Sequence, residues 1–282
     1  MMSFLKNVGK RILTFIDYQI VPFFGWICIS KNKYVNVIYY HDIVTGDGSK
    51  YMRTNIDVFK QQMQYLVDNN YETLRFDDLD NLEKIQFKKR RVLIAFDDGW
   101  RSNYEKIFSW MNERGLKYNV FLTIAEINHN PNYLTWEMVD EMHKCGLCGF
   151  GAHTLTHPSM KDIKIIDTKK EIEEANNIFE NKLGYAPKDF CYPFGYYSEE
   201  SNVFLEQNTS YERIYTSKML YSYKQNGKLV FGRNGISNSY PMHYYVKKLK
   251  GWINVRYSYD KYIHLPFLFV YHLFKSPNKV KS

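Results

Sequence analysis

No stretch of this 282-residue chain is apolar for long enough to span a bilayer, so a membrane-crossing helix is not expected. Internal repeats and low-complexity tracts are missing as well. Cysteine is sparse, with four copies. Cys145 and Cys148 form a C-x-x-C pair, but no second pair or close His pair completes a structural zinc site. The cysteines read as reduced, small apolar residues, as in a reducing cytosolic compartment. A secretory signal is also lacking: Lys6, Lys10, Arg11 and Asp17 interrupt the apolar residues of the first segment. Residues 1–34 and 253–282 mix basic and bulky apolar side chains. The expectation is a cytoplasmic protein with peripheral contact at the inner membrane face, and packing segments are the equal alternative. Recognition-helix, zinc-finger and single-strand-binding signatures are absent, so nucleic acid is not an expected partner. Nothing in the sequence speaks to oligomeric state.

What is present is an ordinary globular composition, 45% hydrophobic and 24% charged. The net charge of +8 favours anionic partners such as a lipid surface or acidic glycan. Aromatics reach 17%, led by 25 tyrosines, which suit a core and also stack on sugars.

Strand and helix patterns alternate. Val35–Tyr40 and Val92–Phe96 are buried-strand runs, and Phe59, Met63 and Leu66 repeat at helical spacing. Ser102–Gly115 reads as one helix, and Thr135 caps another that stops at Gly146. Strand-like runs follow at 118–123, 147–152 and 189–192, with a long charged helix at 166–184. The alternation predicts an α/β fold with parallel strands and crossover helices. Active groups in such folds gather at the carboxyl ends of the strands. Four polar clusters fall there: His41-Asp42, Asp97-Asp98, His153 to His157, and Tyr192 to Gly195.

Asp97 and Asp98 are the informative pair. Two adjacent carboxylates after an apolar strand repel each other, and each costs desolvation if buried. A divalent ion removes that conflict. His153 and His157 lie four apart, which on a helical turn puts both imidazoles on one face. One carboxylate with both histidines makes an open two-His-one-carboxylate set, and the other carboxylate is left to act as a base. Taken alone, Asp-Asp-Gly also fits a solvated turn.

These motifs, in this order, resemble the polysaccharide deacetylases of the NodB-homology, carbohydrate esterase family 4 type, in the branch acting on exopolysaccharide or lipid-linked glycans. The resemblance runs from Val35 to Trp252, and it implies a single catalytic domain at 35–252 with a distorted (β/α) barrel. "AFDDG" implies Asp97 as base and Asp98 as metal ligand, and "HTLTHPS" implies His153 and His157 as the other ligands. "CYPFGYYSEE" matches a groove-wall segment in which the Phe194 backbone N–H binds the oxyanion. His41, Trp100, Trp136, Tyr192, Pro193 and Tyr196 are the expected substrate groove. The implied reaction is removal of an N-acetyl group from an aminosugar of a glycan or glycolipid. The implied cofactor is a divalent metal, zinc first, with Co, Ni, Mn or Fe as alternatives. Two departures stand out. Tyr192 occupies the place of an Arg that often holds the base, which makes Arg233 the candidate for that charge. The late Leu-x-His motif, a frequent source of the general acid, has no clean match. Competing readings are a glycan-binding module that no longer turns over and a metal amidase acting on a non-sugar amide.

Overall fold

The computed structural model describes residues 35–48, 52–84, 90–218, 223–238 and 240–251. The basic, apolar segments expected to touch a membrane lie outside the described residues. Among the described residues, no helix is long and apolar enough to cross a membrane.

In chain order the elements are β1 (Asn36–Tyr40), β2 (Asp42–Val44), β3 (Arg53–Asn55), α1 (Ile56–Asp68), β4 (Glu72–Leu74), β5 (Arg91–Phe96), α2 (Ser102–Glu105) and α3 (Phe108–Glu113). Then come β6 (Tyr118–Leu122), α4 (Trp136–Lys144), β7 (Cys148–Ala152), α5 (Ile165–Leu183), β8 (Asp189–Cys191) and α6 (Glu199–Asn208). The last are β9 (Arg213–Thr216), β10 (Tyr223–Gln225), β11 (Lys228–Gly232), β12 (Asn234–Gly235) and α7 (Met242–Leu249). They belong to one compact unit, Lys33–Leu249.

The expected helix over 102–115 is two short helices. Ser102 and Asn103 are tied to the segment after β1. The Ser102 hydroxyl donates to Asp42 at 2.8 Å, and the Asn103 amide donates to the His41 carbonyl at 3.1 Å. Ile107, fully buried, sits at φ −122° between them, so the chain breaks its helical path there.

The main sheet runs β10-β11-β9-β8-β7-β6-β5-β1-β12, with β4 added on β5. All of its pairings are parallel except β10 with β11. Only Arg233 separates β11 from β12. One run, 228–235, therefore pairs with β9 through its first half and with β1 through its second. That closes the sheet into a distorted (β/α) barrel.

Strand side chains alternate between faces. Val37, Leu93, Ala95, Phe121, Cys191, Tyr215 and Phe231 fill the inside. The outward face packs on the helices through Ile38, Ile94, Phe96, Val120 and Phe150, among others, with Phe179 of α5 in the same cluster. Rings crowd the interior, with Phe121 5.0 Å from Phe76 and 5.1 Å from Tyr215. Gly151 makes room for them, since a Cβ there would stand 2.8 Å from the Phe121 ring. The same period of two, carried past the strand ends, puts His41, Asp97, His153 and Arg233 in step with the interior rows of β1, β5, β7 and β11.

Candidate active site

Asp97 follows Leu93 and Ala95 on the inner row of β5 and is buried. Its carboxylate takes a bidentate pair from Arg233, with Nη1 to Oδ1 at 2.7 Å and Nη2 to Oδ2 at 2.9 Å. His41 Nε2 stands 3.7 Å from Asp97 Oδ2. Burial pushes the Asp97 pKa up, but the guanidinium of Arg233, then His41 and His153, outweigh it and hold the carboxyl below its ordinary value. Asp97 is thus a desolvated carboxylate that stays ionised. Burial lowers the His41 pKa against the pull of Asp97.

Asp98 cannot continue the strand and reach the same space. It turns instead, at φ 73°, in the left-handed region that non-glycine residues rarely occupy. The turn aims Oδ1 at His153 Nε2, 3.5 Å away, and at His157 Nε2, 3.3 Å away. Burial raises the Asp98 pKa, yet its contacts with His153 and His157 hold it well below the ordinary carboxylate value.

The two histidines reach one point by a loop, not by the helical turn their spacing suggested. Thr154 and His157 both take left-handed backbone angles, φ 67° and 63°. Glu171 on α5 holds that loop, accepting the Leu155 and Thr156 N–H groups at 3.0 and 2.8 Å and the Thr156 hydroxyl at 2.6 Å. The Thr154 hydroxyl accepts the His157 N–H at 3.0 Å. His153 Nδ1 lies 2.7 Å from the Cys191 carbonyl. A carbonyl only accepts, so Nδ1 carries the proton and Nε2 turns a lone pair toward Asp98.

The donor set fits a divalent ion. Asp98 Oδ1 is buried without a hydrogen-bond donor among the described residues, and it faces an imidazole lone pair. Two acceptors opposed in this way need a cation between them. The donor atoms of Asp98, His153 and His157 lie within 4.8 Å of one another. A second trio, Asp97, His153 and Cys191, is equally close but fits poorly. Burial pushes the Cys191 thiol well up, so it stays protonated, and the Arg233 fork occupies Asp97.

Of the expected groove residues, Tyr196 is exposed, and so is Phe194, the expected source of the oxyanion N–H, whose ring packs edge-on against His157 at 4.7 Å. Phe194 has φ 56°, and Gly195 behind it lets the chain pass Ser217, where a Cβ would meet side-chain atoms at 2.4 Å. Tyr192 and Pro193 are corrections. Both are buried, and the Tyr192 ring stacks on Tyr197 while its hydroxyl donates to Asn202, so they support the wall from beneath. Trp136 is another correction. As the first residue of α4 it packs on the outer core, with Lys182 Nζ 5.8 Å from its ring. Trp100 lies beside the cluster, its Nε1–H donating to Asp98 Oδ2 at 2.9 Å. Sequence reasoning missed Glu171 and the Cys191 carbonyl, because neither a lone Glu on a charged helix nor a backbone oxygen leaves a motif.

Residues 84–211 match the family model described as Polysaccharide deacetylase. That stretch of the chain is similar to the polysaccharide deacetylases, of the NodB-homology, carbohydrate esterase family 4 type. It is 27% identical over 216 residues to YxkH of Bacillus subtilis, covering 76% of this chain and 75% of that one. It is 26% identical over 163 residues to the poly-beta-1,6-N-acetyl-D-glucosamine N-deacetylase of Staphylococcus epidermidis, covering 53% of this chain and 56% of that relative. The chain thus spans little more than half of the second relative. The fold is shared with the Streptococcus pyogenes deacetylase PplD in complex with acetate (TM-score 0.69, 19% identity, 77% of this chain and 98% of that one). It is also shared with IcaB from Ammonifex degensii (TM-score 0.66, 19% identity, 79% and 98%). Both curated relatives are named as deacetylases.

Proposed function

We propose that this protein removes N-acetyl groups from an aminosugar-containing polysaccharide or glycolipid, using a divalent ion, zinc first, held by Asp98, His153 and His157. The observation that carries the reading is the buried, undonated Oδ1 of Asp98 facing both histidine Nε2 atoms, beside a second carboxylate kept ionised by Arg233. The poly-beta-1,6-N-acetyl-D-glucosamine N-deacetylase among the relatives supports an N-acetylated glycan as the substrate class.

The ion, when bound, supplies Lewis-acid polarisation of the amide carbonyl and a lowered pKa for water. Asp97 takes a proton from the attacking water as the new C–O bond forms. The backbone N–H of Phe194 donates to the developing oxyanion. As the C–N bond breaks, Asp97, with His41 beside it, returns the proton to the leaving nitrogen. Acetate and a free amine result. Phe194 and Tyr196, exposed at the rim, offer apolar faces to a sugar ring. A cytoplasmic protein touching the inner membrane face remains our proposal for location. Recovery of the protein from outside the cell would sink it.

The test measures acetate release from a panel of N-acetylated glycans and glycolipids, with and without a chelator. Asp97→Asn keeps size but removes the proton acceptor, so it should keep metal and lose about 10²–10⁴ in rate. Asp98→Asn should lose metal first and regain part of its rate in excess metal. Glycan binding without acetate release by wild type loaded with zinc would support the binding-module reading instead. Asp98→Asn with wild-type metal content would remove Asp98 from the ligand set.

A further inference from the structure

Trp100 stands two residues after a metal ligand, and the sequence suggested it as a groove wall. Its surroundings give it a different task. Gly99, at φ 84°, turns the chain back so that the indole lies over Asp98. The Nε1–H donates to Asp98 Oδ2 at 2.9 Å. A carboxylate has two equivalent oxygens and a soft terminal torsion, so without a partner either oxygen can face the histidines. With Oδ2 engaged, Oδ1 alone is presented to His153 and His157.

The indole is itself held firmly. It stacks on Tyr133 with centroids 4.7 Å apart and planes 25° apart. Two backbone hydrogen bonds fasten the two strips of chain together: Leu134 N–H donates to the Gly99 carbonyl at 2.9 Å and Arg101 N–H donates to the Asn132 carbonyl at 2.8 Å, which makes Trp100 and Tyr133 an antiparallel β-bridge. Tyr133 is half-buried, and burial together with Asp98, Glu126 and Asp42 pushes its pKa up to about 12. It therefore stays an uncharged platform at any working pH.

We infer that Trp100 is a positioning residue for the metal site: its indole N–H locks Asp98 so that one defined oxygen is offered to the ion. The inference rests on the metal reading above. Groups hydrogen-bonded behind a ligand typically change metal affinity by about 10–100-fold when lost.

The test uses zinc alone, with no substrate. Zinc affinity of the whole chain is measured by competition against a chromogenic chelator, alongside the melting temperature of the zinc-free protein. Trp100→Phe keeps a ring over Tyr133 and drops only the N–H. The expected result is zinc affinity weaker by about 10-fold or more, with the zinc-free melting temperature close to wild type. Equal zinc affinity in both proteins overturns the inference, and so does a loss of affinity that only tracks a fall in melting temperature. Should Trp100→Phe fail to fold, wild type labelled with ¹⁵N-tryptophan decides. Zinc should shift one of the five indole signals, and that response should vanish in Asp98→Asn. Indole signals unmoved by bound zinc overturn the inference. Wild type that binds no zinc at all sinks the metal reading itself, which is a different outcome.

Discussion

Glu171 should be worth more than its place on a half-exposed helix suggests. The loop between the two histidines contains Thr154 and His157 in the left-handed region, and each such residue costs about 1–3 kcal/mol. Glu171 offsets that strain with three hydrogen bonds into the loop. Bonds to a charged acceptor are worth about 1.5–3 kcal/mol each when buried. The two to Thr156 are exposed, so they count for less. We expect Glu171→Ala to cost about 2–4 kcal/mol in all, part of it spent in loosening the loop locally. At about 2–4 °C per kcal/mol for a unit of this size, melting should fall by roughly 5–15 °C. Zinc affinity should fall with it, because His157 is no longer held. Glu171→Gln keeps an oxygen for the two N–H groups, and its amide can donate to the Thr156 hydroxyl, so it should cost only about 1 kcal/mol. The assay is thermal unfolding of the zinc-free protein paired with zinc titration, for both variants. An Ala variant that melts with wild type and binds zinc equally well would refute the reasoning. So would a Gln variant as damaged as the Ala one, since that would place the effect in the charge and not in the bonds.

Two shorter predictions follow. The folded pKa of Asp97 is depressed, so its stabilising contribution is present above its unfolded value, near 3.9, and is lost as pH falls through the folded value. Arg233→Lys keeps the charge but loses the fork, so the acid limb of the pH–rate profile should move to higher pH while zinc affinity holds. An unmoved limb would separate Arg233 from the ionisation of Asp97. Gly151→Ala would drive a Cβ to 2.8 Å from the Phe121 ring and 2.9 Å from the Asp189 carbonyl. Overpacking of this kind costs about 1–3 kcal/mol. An Ala variant melting at the wild-type temperature would show that the barrel interior is looser than its ring contacts indicate.

The strands of the barrel were legible because both their faces are buried, which leaves continuous apolar runs with little competing pattern. Helix α1 was legible for the complementary reason, since Phe59, Met63 and Leu66 repeat at helical spacing; the cap by Asn55, whose side chain accepts the Asp57 N–H at 2.7 Å, emerges only in the structure. The break between α2 and α3 was not legible. It follows from bonds that Ser102 and Asn103 make about sixty residues back along the chain, which no local propensity encodes. The groove was only half legible. A Tyr-Pro-Phe-Gly-Tyr stretch announces aromatics, but depth decides which of them meet a ligand, and here Phe194 and Tyr196 are exposed while Tyr192 is covered. Arg233 lies 136 residues from Asp97, and only the missing Arg before Pro193 pointed to it.

The adjacency of Asp97 and Asp98 has a geometric reason that the sequence could raise but not answer. A barrel strand delivers every second residue to the interior, so one carboxylate arrives there simply by being in register. The next residue would face the helices and the outer core, where an unpaired charge is costly. The left-handed turn at Asp98 removes it from that fate and sends it to the mouth, toward the histidine loop. The turn is tolerated because its surroundings over-determine it: the Thr123 N–H donates to the Asp98 carbonyl at 3.2 Å, and the Trp100 indole holds the side chain. Two neighbouring carboxylates thereby acquire opposite surroundings. Asp97 is closed in by a guanidinium and kept ionised, while Asp98 is left with one oxygen undonated beside two imidazoles. The first arrangement suits a proton acceptor and the second suits a cation. A single peptide bond separates them, which fixes their spacing more tightly than two residues drawn from different strands could be fixed.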